Sequence, residues 1–96
     1  MQQIQIQIDA LIKLRIALET LRSNLIEKEQ NFNSKVQGSR ENGVPAEIAD
    51  YFEKGYWPEN ERRLRNVIDS IENVGLPYIN NNIAALEPLL DSGWGY

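Results

Sequence analysis

The sequence predicts an all-α protein: an antiparallel helical hairpin that pairs into a four-helix-bundle-like assembly. Two apolar series and one breaker between them carry the prediction. The first series is Ile4, Leu11, Leu18, Leu25 and Phe32, and the second is Trp57, Leu64, Ile71, Tyr78 and Ala85. A seven-residue apolar repeat is the mark of a helix that buries one stripe against another helix. The breaker is Gly55-Tyr56-Trp57-Pro58. Glycine ends a helix in a left-handed conformation at little cost, and proline suits the first position of the next.

With 96 residues the chain makes a single domain, 1–96. Residues 3–37 read as one long helix, about 50 Å at 1.5 Å per residue. Beside the first series, Leu14 and Leu21 hold the fourth position of the repeat, and Gln7, Lys28 and Lys35 make it polar at the ends. The expected hairpin core is therefore Leu11, Leu14, Leu18, Leu21, Leu25 and Phe32, met by Leu64, Val67 and Ile71 from the second arm. Ile8, Ile12, Ile16 and Ile26 form a further apolar stripe. Two readings of it stand: a broad core face covered within one chain by the segment after Pro77, or a seam against another chain. The second is the expected interface, because few other apolar helices are present to cover it.

Residues 38–54 hold a loop, Gly38 to Gly43, and a short amphipathic helix after Pro45. The expected turn is 55–58, with Trp57 and Phe32 closing that end of the hairpin. The second long helix is expected at 58–90, with Glu59 and Glu61 on a first turn whose dipole favours them. Gly75-Leu76-Pro77 predicts a bend near 75–77, since proline removes a helical hydrogen bond and disfavours helical backbone before it. Residues 91–96 form a tail in which Trp94 and Tyr96 alternate with glycine; the expected readings are packing on the bundle end, docking on another protein, or disorder.

Composition excludes much chemistry. With no Cys and no His, there is no thiolate nucleophile, no Cys- or His-based metal site and no imidazole base. No catalytic residue, cofactor site or metal site is expected, and the protein reads as non-enzymatic. Residues 1–65 carry ten basic and ten acidic side chains, so the net charge of −4 lies wholly in Asp69, Glu72, Glu87 and Asp91. An acidic last third offers no basic face to phosphates, so no nucleic-acid partner is expected. No apolar run is long enough to span a bilayer, and the start Gln2-Gln3-Ile4-Gln5 lacks a basic segment before an apolar one. The expectation is a protein without membrane insertion, cytoplasmic or exported without a cleaved signal peptide.

Two long helices around a Trp-containing turn resemble the Trp-X-Gly family of small helical-hairpin proteins of type VII secretion systems. Trp57, the seam from Leu11 to Phe32, and Leu64, Val67, Ile68 and Ile71 carry the resemblance. Three features depart from the family pattern, the first being Pro77, which breaks a helix that is usually continuous. Trp57-Pro58-Glu59 lacks the turn glycine, and Tyr51, Tyr56 and Tyr78 are followed four residues later by Gly55, Asn60 and Asn82, not by the acidic residue of the family's export signal. The resemblance implies dimers or mixed pairs packed as four-helix bundles. It implies a secreted substrate, adaptor or chaperone-like partner of a secreted toxin, whose helical region or a second copy of the chain would be the partner. The other expected class is an unrelated helical adaptor, immunity protein or phage structural protein acting through helix packing.

Overall fold

The structure is a computed structural model that describes residues 3–91; the Trp94 and Tyr96 tail lies outside the described residues. Among the described residues every regular element is helical: α1 (Gln3–Gln37), α2 (Ala46–Tyr51), a π-turn (Phe52–Tyr56), α3 (Trp57–Ser70), a second π-turn (Ile71–Gly75) and α4 (Leu76–Asp91).

α1 contains neither Gly nor Pro, and Lys35 complements the dipole at its last turn. Gly38 ends it, donating its N–H to the Ser34 carbonyl at 3.0 Å, and the Ser39 hydroxyl donates to the Val36 carbonyl at 2.8 Å. The chain reverses through Gly43, whose φ of 97° is open to glycine at little cost. The Pro45 carbonyl then accepts from Ile48 and Ala49 to start α2.

The reversal therefore lies at 38–45, and the expected turn Gly55-Tyr56-Trp57-Pro58 is helical throughout. The reason is the π-turn. Trp57 N–H bonds to the Phe52 carbonyl, one residue further back than in an α-helix. The wider turn relieves the clash between a proline ring and the carbonyl four residues before it, so Pro58 sits inside a continuing helix. The interruption expected at 75–77 has the same explanation. Leu76 N–H reaches back to Ile71, and the helix runs on through Pro77. Phe52 and Ile71, Glu53 and Glu72, and Pro58 and Pro77 are all the same interval apart. In each case the Glu binds an arginine: Arg40 Nε to Glu53 at 3.3 Å, and Arg22 Nε to Glu72 at 2.5 Å.

The open space at Gly55 gives a direct check. Nothing lies within 4 Å of a Cβ added there, so Gly55→Ala is expected to raise stability by about 0.5–1 kcal/mol in a urea melt. A loss of that size would instead point to a helix-ending glycine.

The chain divides into two compact units, one of residues up to Arg22 with those from Asp69 on, the other Ser23–Ile68. In the first, α1 and α4 run antiparallel. Ile8, Ile79 and Ile83 are its buried centre, with Ile4, Leu11, Ile12, Leu18, Leu86 and Leu90 packed around them. The helices come close at Gly75, where a Cβ would stand 3.3 Å from Leu18 Cδ1. In the second unit Val36, Ala49, Trp57 and Ile68 are buried. Trp57 lies edge-on to Phe32, with ring centroids 4.9 Å apart, and donates from Nε1 to Asn33 Oδ1 at 2.9 Å.

The expected core needs correction. Ile71 is buried, and Leu11, Leu18, Leu25 and Leu64 are half-buried, but Leu14, Leu21, Phe32 and Val67 are exposed. The inward positions of α1 are instead the series Ile8, Arg15, Arg22, Glu29 and Val36 beside Ile4, Leu11, Leu18 and Leu25. Its polar members have partners across their units. Arg15 Nη1 donates to Asn80 Oδ1 at 3.0 Å and Arg22 to Glu72; in the second unit Arg65 donates to Glu29. Counting apolar residues alone passes over such a series.

Candidate interaction surface

The four isoleucines expected at an interface do not share one face. Ile8 belongs to the buried centre of the first unit and Ile12 packs on it. Ile26 is half-buried in the second unit, and Ile16, 54% exposed, is the one that faces outward. The physical reason is the inward series on α1: with Arg15 and Arg22 satisfied across the first unit, Ile8 and Ile12 turn toward α4.

The same rotation puts another stripe outside. Ala10, Leu14, Ala17 and Leu21 are spaced four, three and four residues apart along α1, which keeps them on one side of a helix. All four are exposed, Leu14 to 51% and Leu21 to 45%. None carries a charge. The stripe borders a groove of about 470 Å³ lined by Gln7, Ala10, Leu11, Asn82, Ala85 and Leu86. On α4, Tyr78 stands one turn from Asn82, 70% exposed, and its carbonyl accepts from Asn82 Nδ2 at 2.8 Å. Unpaired apolar side chains around an uncharged groove favour a contact that displaces water.

The second unit has concave places of its own. One, of about 340 Å³, is lined mainly by apolar side chains of the reversal, among them Phe32, Val36, Val44, Ile48 and Phe52. Tyr51, Phe52 and Tyr56 cluster nearby, with ring centroids 5.1 to 6.4 Å apart. Another, of about 290 Å³, is lined by Glu29, Pro58, Glu61, Arg62 and Arg65. Here the Arg65 guanidinium holds Glu29 Oε1, while the buried Oε2 has no hydrogen-bond partner. Arg62 is bound to Glu59 at 2.7 Å.

The residues expected at the turn fall within the second unit. Trp57 is buried, while Gly55, Tyr56 and Pro58 are exposed on the helix. Among the described residues no three acidic side chains gather to hold a metal ion, and no helix is long and apolar enough to cross a membrane. No protein-family model, curated protein or solved structure matches the chain.

Proposed function

We propose that this is a non-enzymatic interaction protein that packs its helices against those of another chain in a four-helix-bundle-like assembly. The observation that carries the reading is the exposed stripe Ala10, Leu14, Ala17 and Leu21 with its neighbouring groove. Large apolar side chains held on a rigid helix lose little conformational freedom on association, so their burial counts toward affinity. The polar contacts of Arg15 and Arg22 support the same reading. They set the phase of α1 within its own unit and leave the stripe for a partner.

A secretion-associated substrate or adaptor, partnered by the helical region of a toxin and exported or cytoplasmic, is the narrower form of this proposal. It rests on the resemblance to the Trp-X-Gly family. The position of Trp57 weighs against it, since the ring is buried within a helix and the reversal lies at 38–45. The broader form, a helical adaptor, immunity protein or phage structural protein, does not need a tryptophan turn.

Association that favours the folded state makes apparent stability depend on concentration. The urea midpoint is therefore expected to rise with protein concentration, or on adding a helical protein encoded beside it. A midpoint indifferent to both removes the proposal.

A further inference from the structure

We infer that the partner on the Ala10–Leu21 stripe is a second copy of this chain, with the two α1 helices antiparallel, Leu14 against Ala17 and Leu21 against Ala10. The inference rests on the interaction reading above and names its partner. The order along the stripe is Ala, Leu, Ala, Leu. An antiparallel two-fold axis through its midpoint brings Leu14 of one copy over Ala17 of the other, and Ala10 over Leu21. Each large side chain then meets a small one, twice over, which is the self-complementarity a two-fold interface requires. A parallel pairing in register would set Leu on Leu and Ala on Ala, leaving gaps at the alanines.

The surroundings fit this register. Ala10 lines the groove between α1 and α4, so Leu21 of the second copy is delivered to a recess of about 470 Å³ bordered by Leu11, Ala85 and Leu86. The stripe has no charge, so like charges are not brought together along it when a copy meets a copy. The stretch that the axis maps onto itself, Ala10 to Leu21, is about 18 Å long and, two helices wide, covers on the order of 350 Å² per copy. That is about 700 Å² in total, the size of a weak, transient contact, and fits a dimer that fills only toward high micromolar concentrations.

The test uses the size exchange itself. Sedimentation equilibrium should show a dimer for the parent chain. Leu14→Ala leaves a gap and Ala17→Leu sets Leu on Leu; each should weaken dimerisation about tenfold or more. The double variant L14A/A17L restores a large-on-small pair and should return to within a few-fold of the parent. Leu14 and Ala17 are exposed within the chain, and circular dichroism should show that each variant keeps its helices. The absence of Cys allows an independent check. A mixture of Leu14→Cys and Ala17→Cys chains should oxidise to the mixed disulfide in preference to either symmetric one. A monomeric parent overturns the inference, as does a dimer whose double variant is no better than the singles or whose mixed disulfide is not favoured. In either case, loss of binding to an added helical partner on Leu14→Glu would keep the broader interaction reading, whereas no binding to any partner would remove both.

Discussion

Replacing Trp57 with alanine should destabilise the protein by about 3 kcal/mol, within the range for removing a large aromatic ring from a core. The ring is only 6% exposed. It packs in a T-shaped arrangement with Phe32 and donates its indole N–H to Asn33. Alanine would remove the apolar area, leave a cavity beside Phe32 and strand the Asn33 side-chain oxygen. Trp57→Phe keeps most of the ring and loses the hydrogen bond, so it should cost about 1 kcal/mol. Urea melts followed by circular dichroism measure both without relying on tryptophan fluorescence. An alanine variant as stable as the parent would mean that the ring is not packed in solution.

Arg65→Ala should be the most damaging change among the charged residues. Glu29 is buried, and one of its oxygens is already without a partner. Removing Arg65 would leave a buried carboxylate with no partner at all. The expected loss is about 2 kcal/mol, below the ~3–5 kcal/mol of a fully buried pair because water reaches the arginine. Its side chain is 47% exposed. The informative comparison is the double variant Glu29→Leu/Arg65→Ala, which removes the uncompensated charge along with its partner. It should be more stable than Arg65→Ala alone, and a double-mutant cycle in urea reads the coupling directly. Additive losses would show that the two side chains do not interact.

These two sites mark the limit of what apolar periodicity reveals. The helical class was legible because α1 has no Gly or Pro and a five-fold apolar series, and the Gly38–Gly43 loop was legible from composition. The placement of the turn was not. Gly55 and Pro58 look like the end of one helix and the start of another, but the π-turn at Phe52–Tyr56 lets the helix pass through them. A hydrogen bond reaching one residue further back has no mark in hydrophobic spacing. The buried face of α1 was misread for a different reason. Arg15, Arg22 and Glu29 occupy its inward series, and each is compensated by a polar side chain far away in sequence. Reading Leu14 and Leu21 as core followed from treating every charged position as outward. The outward stripe at Ala10–Leu21 follows from the pairing of Arg15 with Asn80 and of Arg22 with Glu72, contacts that leave no trace in apolar spacing.

The central claim is that the protein works by packing the exposed side of α1 on another chain. Sedimentation equilibrium of the parent and of Leu14→Glu/Leu21→Glu, each at low and high micromolar concentration, tests it most directly. The parent should show a mass that rises above the monomer with concentration, and the variant a helical monomer at every concentration. A parent and variant with the same mass at all concentrations, alone and with an added helical partner, would contradict it.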